Sequence, residues 1–317
     1  MNRRDFLRTG ITLTAGAAVL PFFPAGVQSI VLPEAFPRRK LGQTGEMISI
    51  IGFGGILVKN ERQKEANNRV AQAFDRGINY FDVAPTYGDA EERLGPALEP
   101  YRKRCFLACK TKERTRPGAE RELHDSLKKL KTEVFDLYQL HALTTEEDVK
   151  RAFGPGGAME LLVKAREQGK VRYLGFSAHS EEAALMAMER FEFDTILFPI
   201  NFVCWFQGDF GPRVVAEAKK RKMGILALKA LALTRGSTGQ RAQYEKLWYV
   251  PVENPQLQDL ALRFTLSQGT TSAIPPAEAQ FFWRALEIAR NPTPLTPEEE
   301  KTVAERSQGI LPLFTSV

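Results

Sequence analysis

Cysteine is scarce in this 317-residue chain, which has only Cys105, Cys109 and Cys204. None belongs to a CxxC pair, so neither a disulfide framework nor a thiolate metal cluster is available. Cys105 and Cys109 fall in one apparent strand, about 13 Å apart along it, too far for a bridge. Histidine is equally sparse (His124, His141, His179) and shows no HxH or HExxH spacing, which argues against a metal-dependent hydrolase. No dense Lys/Arg run follows the N-terminus, and the net charge of +6 is only modestly basic. Nucleic acid is therefore not the expected partner. No apolar run reaches the roughly 18 residues of a membrane span. What remains, 43% hydrophobic and 26% charged residues, is ordinary soluble globular composition. The length suits one large α/β domain or two small ones.

The start of the chain stands apart. MNRRDFLRTG is followed by the apolar ITLTAGAAVLPFF and then by AGVQS. Charged, apolar and small residues in that order describe a secretory signal rather than a spanning helix. Arg3-Arg4, with Asp5, Phe6 and Leu7 behind them, resembles the twin-arginine (Tat) export motif of bacteria. With Val27 and Ser29 at the −3 and −1 positions, cleavage is expected after Ser29, leaving 30–317 as the mature protein. Removing 1–29 takes away three arginines and one aspartate, which leaves a net charge of +4. A periplasmic or otherwise exported protein is expected, with the Tat machinery as its transient partner and no stable membrane span.

From residue 38 onward, strand-like and amphipathic stretches alternate. RRKLGQTGEMISII suggests a hairpin turning at 43–45. Strands are expected near 48–53, 79–83, 105–110, 135–140, 172–176, 195–200, 224–228 and 271–274. Helices are expected near 61–76, 90–101, 119–131, 146–168, 181–190, 212–222, 255–267 and 279–289. Eight even βα units without a composition break predict an α/β fold, a single-domain (β/α)8 TIM barrel over 30–317. A doubly wound sheet is the structural alternative. The long stretch TRGSTGQRAQYEKLWYVPVENP after the seventh strand is an insertion expected to shape the substrate site or to be a surface excursion.

Barrel chemistry sits at the C-terminal ends of the strands. Strand one ends in Gly54-Gly55, where a ligand can approach backbone closely. Strand two ends in Asp82 with Tyr87 on the loop beyond, strand three in Lys110 and strand four in His141. Each alone has a bland reading as a cap, a turn residue or a structural side chain, but together they suit proton transfer. A tyrosine titrates near ~10, too high for easy acid–base work near neutrality. A close ammonium, Lys110, would lower that value, Asp82 would position the lysine, and His141 would donate to a carbonyl oxygen as charge develops there. None of the four is a good covalent nucleophile. Proton transfer coupled to hydride delivery requires a cofactor.

On these residues the chain resembles the aldo/keto reductase family. GINYFDVAPTYGDAEERLG, strand-end Lys110, FDLYQLH with His141 and GKVRYLGFS over 169–177 carry the likeness, which extends over about 38–289. It implies a (β/α)8 barrel that reduces aldehydes or ketones, or oxidises the corresponding alcohols, with NADP(H) in preference to NAD(H). Tyr87 would be the general acid/base, Lys110 and Asp82 its tuning pair and His141 the carbonyl-orienting residue. Gly54, Gly55, Ser177, His179, Asn201 and Lys229 would lie along the cofactor, Lys229 at its phosphate or at substrate. The cofactor half departs from the family pattern. Ala178-His179 follow Ser177, Leu197 and Ile200 replace a Gln and a Tyr, and Leu228 stands where an aromatic stacks on nicotinamide. Arg284 is either an adenosine-phosphate contact or a helix-surface arginine. Phe202, Trp205 and Phe206 either wall a substrate pocket or belong to the rim core. A different class of protein is the alternative: a catalytically weak nucleotide- or partner-binding protein on a reductase-like barrel.

Overall fold

The computed structural model describes residues 35–241 and 243–316; the expected signal segment 1–29 lies outside the described residues. Eight parallel strands form one sheet in sequential order. They are β1 (Phe53–Gly54), β2 (Tyr80–Asp82), β3 (Phe106–Thr111), β4 (Phe135–Leu143), β5 (Val171–Ala178), β6 (Thr195–Pro199), β7 (Gly224–Leu228) and β8 (Ser272–Ile274). A parallel bridge between Ile51 and Ala273, with Gly52 N–H donating to the Ala273 carbonyl at 2.9 Å, brings the last strand back to the lead-in of the first. The result is a (β/α)8 barrel in one domain.

Residue parity explains the two cores. On each strand every second side chain points inward. Tyr80, Phe106, Ala108, Leu137, Leu197 and Leu226 form the inner layer, and Leu41 and Ile48 join it from below. Leu41 and Ile48 belong to a hairpin in which Arg38–Lys40 pairs antiparallel with Met47–Ser49. The hairpin closes the floor of the barrel. Outward residues such as Phe81, Leu107, Tyr138 and Ile196 pack against the helices in a second, larger cluster. Functional groups are therefore left at the upper, C-terminal rim, as barrel geometry requires.

Two expectations change. The first strand was expected over 48–53, yet only Phe53–Gly54 joins the barrel ladder. Asn79 Oδ1 accepts from Ser49 N–H at 2.7 Å, and a Cβ on Gly52 would stand 2.6 Å from the Tyr80 ring, so the chain bends between hairpin and barrel. The single helix expected over 146–168 is two, Glu146–Phe153 and Ala158–Glu167. Gly154-Pro155-Gly156-Gly157 breaks it, with Gly156 at φ 68° and Pro155 unable to donate to the ladder. A helix beyond the expected set, Pro297–Ser307, opens with a reciprocal Thr296/Glu299 capping box.

Candidate functional site

Asp82 ends β2 with its side chain inward, two residues above Tyr80. Lys110 ends the inner row of β3, wholly buried, and its ammonium donates to Asp82 Oδ1 and to the Val83 carbonyl at 3.2 Å. The same carboxylate accepts from Tyr80 Oη at 3.2 Å and from Gln139 Nε2 at 3.4 Å. Tyr80 and Gln139 were not singled out from sequence. The available signal was spacing, since each lies two residues before a candidate, Asp82 and His141, on the same inward face.

Tyr87 reaches over this pair. Its ring centroid is 5.3 Å from the Lys110 ammonium and 5.7 Å from the His141 ring, which meets it edge-on. The four groups expected to act together are thus neighbours at one mouth. Burial raises the Tyr87 phenol above its ordinary range, Lys110 pulls it down and Asp82 raises it again; the balance is upward. The lowered phenol expected from the lysine alone is corrected: desolvation outweighs the ammonium, and Tyr87 stays a protonated donor at neutral pH. Burial likewise opposes charge on Lys110, but Asp82 and Tyr87 overcome it and leave its pKa raised, so the lysine is an ammonium.

The two histidines at the rim behave alike. Burial, helped by Lys110, Lys112, His179 and Arg114, holds His141 down to about 2. Burial, with Lys229 and Lys112, holds His179 down to about 4. Both imidazoles are neutral, and Thr86 Oγ1 lies 3.4 Å from His141 Nδ1. If that hydroxyl donates, the ring carries its proton on Nε2, free for a carbonyl. A free imidazole titrates near ~6.5. Below that pH the unfolded chain takes up protons that the folded protein refuses, so stability should fall as pH drops from 6.5 towards 4. The slope approaches about 1.4 kcal/mol per pH unit for each histidine. Urea midpoints at pH 7, 5.5 and 4.5 check this: His179→Gln should flatten the decline, and identical slopes would contradict it.

The insertion after β7 covers the mouth. Ala232–Thr234 pairs antiparallel with Val250–Pro251, which brings Lys246, Leu247, Trp248 and Tyr249 over the barrel. Lys246 Nζ anchors the segment, donating to the Leu57 carbonyl at 2.8 Å and lying 3.3 Å from Glu61. Beneath it lies a cavity of about 110 Å³ bordered by Asp82, Tyr87, Leu228, Lys229, Gly54 and Ile274. That is the scale of one ring, well below the ~300–1,000 Å³ of a whole-ligand pocket. A second cavity of about 600 Å³, lined by Tyr244, Glu253, Gln258, Gln280, Phe281 and Arg284, flanks the same segment. Arg284 Nε is buried there without a partner, although Nη1 meets Glu287 at 3.1 Å.

The remaining expected cofactor residues divide. Gly54 lines the mouth cavity, and a Cβ there would come within 3.0 Å of Ile274. Gly55 opens a 3-10 turn against Val83, where a Cβ would meet the side chain at 2.7 Å. Ser177 Oγ accepts from Ala142 N–H at 2.7 Å, and Asn201 Oδ1 caps the short helix Phe202–Gln207 by accepting from Cys204 N–H at 2.9 Å. Both side chains thus hold scaffold. His179 stacks on Phe314 at 5.2 Å, with the rings 5° from parallel. Trp205 and Phe206 pack on Phe264 and Phe202 is fully buried, so that aromatic run belongs to the rim core.

A dinucleotide would meet this arrangement at two places: the ring-sized cavity beside Tyr87, and the larger one walled by Gln280 and Arg284. Among the described residues, no helix is long and apolar enough to cross a membrane. Comparison with known proteins bears on the chemistry. The sequence model of the Aldo/keto reductase family matches residues 50–246. Aldo-keto reductase YhdN of Bacillus subtilis is 28% identical over 210 residues, 60% of this chain and 61% of its own length. The 6-dehydroglucose reductase of Novosphingobium aromaticivorans is 34% identical over 176 residues, 49% of this chain and 55% of its own. The chain spans between 48% and 61% of the length of these and a further Bacillus subtilis relative, an uncharacterized oxidoreductase. Among solved structures, aldo-keto reductase AKR11C1 from Bacillus halodurans (holo form) is 20% identical with a TM-score of 0.70, covering 88% of this chain and 98% of that one. That likeness speaks for the fold.

Proposed function

This chain belongs to the aldo/keto reductase family of oxidoreductases, and from that premise we propose that it is an exported NADP(H)-dependent reductase of aldehydes or ketones. The observation that carries the reading is the meeting of Tyr87, the Lys110–Asp82 pair and His141 around one mouth. When bound, the cofactor supplies a hydride to the carbonyl carbon. Arg284 and Gln280 would hold its adenosine end, and Gly54 and Leu228 would border the ring at the other. The protein's own part is proton management. Tyr87, kept as a phenol by burial, donates its proton to the carbonyl oxygen as charge builds there, and neutral His141 donates a second hydrogen bond to that oxygen. Lys110, fixed by Asp82, stabilises the phenolate left behind. The covering segment 246–249 keeps water from the reacting atoms.

NADP(H) rather than NAD(H) is favoured by the Arg284 guanidinium in the wall of the larger cavity, a donor suited to the extra phosphate. Export is favoured by Arg3-Arg4 and the apolar stretch behind them. Because Tat carries folded cargo, the cofactor would leave the cytoplasm already bound. The test is titration of the purified full-length protein with NADPH and NADH, followed by loss of NADPH absorbance with an aldehyde. NADPH should bind more tightly than NADH, and Arg284→Ala should narrow the gap. Absence of binding for both at millimolar concentration would overturn the reading. Cell fractionation of an Arg3→Lys/Arg4→Lys variant checks its export half.

A further inference from the structure

Lys229 is the least explained charge at the mouth. It follows directly on β7 in a left-handed conformation, φ 70°, that a residue with a Cβ adopts only under constraint. Its ammonium lies 4.6 Å from the Tyr249 ring centroid and 5.0 Å from that of Trp248, both contributed by the insertion. Among the described residues no carboxylate pairs with it. Burial holds its pKa down to about 8, as expected of an ammonium without a counter-ion. The other cations of the rim are engaged: Lys110 with Asp82, Arg114 with Asp148 and Lys246 with Glu61. Lys112 is the exception. It too has no ion-pair partner among the described residues, and its ammonium reaches only the Ala142 carbonyl, at 3.5 Å. Lys112, however, is exposed and hydrated, whereas Lys229 is held beneath the rings of the insertion.

An uncompensated ammonium in the wall of the cavity that the proton donor Tyr87 also lines makes a place that lacks an anion. We propose that the mouth holds a carboxylate on Lys229, and that the substrates are carbonyl compounds bearing such a group. The caging rings of Trp248 and Tyr249 fix the ammonium by cation–π attraction at the mouth, in the wall that Asp82 and Tyr87 also line. A bound carboxylate supplies the missing counter-charge through a charge-assisted hydrogen bond, stronger than a neutral one. The substrate-class part of the proposal rests on the reductase reading; the carboxylate site does not.

The experiment separates the two. With full-length protein and NADPH, kcat/KM is compared for 4-carboxybenzaldehyde and its methyl ester, which differ by the charge. Wild type should favour the carboxylate by about tenfold or more, expressed in KM. Lys229→Met should bring the ratio towards one, and Lys229→Arg should restore much of it. In parallel, benzoate and benzamide are titrated calorimetrically into wild type, Tyr87→Phe and Lys229→Met. Benzoate should bind the first two and weaken about tenfold in the third. A ratio untouched by Lys229→Met, or benzoate binding no tighter than benzamide, overturns the proposal. So does a Lys229→Met variant that loses affinity for NADPH alone, which would assign the lysine to the nucleotide. Benzoate binding that depends on Lys229, with neither aldehyde reduced, overturns the reductase reading and leaves the carboxylate site standing.

Discussion

Replacing Tyr87 by phenylalanine should lower kcat for carbonyl reduction by about 10²- to 10⁴-fold, the range removed with a general acid. The fold should survive, because the change deletes one oxygen and keeps the ring, its edge-on contact with His141 and its place over Lys110. Nucleotide affinity should persist in the variant. The pH profile sharpens the test. A phenol raised by burial remains an acid through neutrality, so wild-type reduction should stay level until the pH passes tyrosine's ordinary ~10. Alcohol oxidation, which needs the phenolate, should instead climb with pH. A Tyr87→Phe enzyme within threefold of wild type would remove Tyr87 from the mechanism.

The second large effect concerns stability. Lys110→Met would leave the Asp82 carboxylate, 2% exposed, without its ammonium. Breaking a buried pair by removing one member costs about 3–5 kcal/mol. Tyr80 and Gln139, which donate to the same carboxylate, soften that loss without cancelling it. The double variant Asp82→Asn/Lys110→Met removes both charges and keeps an acceptor for Tyr80, so more than half of the lost stability should return. Activity should not, since nothing then stabilises the Tyr87 phenolate. Chemical denaturation reads the first effect and steady-state kinetics the second. If the double variant were no more stable than Lys110→Met, the penalty would lie in packing around the lysine stem rather than in the orphaned charge.

Much of this architecture is legible in the chain itself. β-branched and aromatic runs at even spacing mark seven of the barrel strands and the lead-in to the first, and the C-terminal ends of those runs carry Asp82, Lys110 and His141. Local pattern does not carry everything. Tyr80 and Gln139 sit in strands already assigned, and only parity along the strand reveals that they face the same carboxylate. Ser177 and Asn201 have the right chemistry for a ligand and the right addresses, but backbone N–H groups at Ala142 and Cys204 claim them. The direction of the Tyr87 shift is a contest between burial and a neighbouring charge, and burial belongs to the assembled mouth rather than to any local stretch of sequence. The break at 154–157 was readable in Gly-Pro-Gly-Gly, where turn chemistry overrides the amphipathic pattern on either side.

The floor of the barrel has a bearing on when this protein can become itself. Arg39 of the hairpin donates through Nη1 to the carbonyls of Leu266 and Thr270, both at 2.7 Å, across more than 220 residues of chain. Ile51 pairs with Ala273 across a similar span. Contacts so distant in sequence form slowly, and during synthesis they wait for their partners to leave the ribosome. The hairpin is thus made well before the strand it closes against. Until residues near 273 have emerged, the hairpin has nothing to close against, the ring of strands stays open, and the inner row of Tyr80, Asp82, Lys110 and Gln139 is wet. Completion of the barrel therefore waits on the strand at 272–274, and any step that requires the finished barrel waits with it.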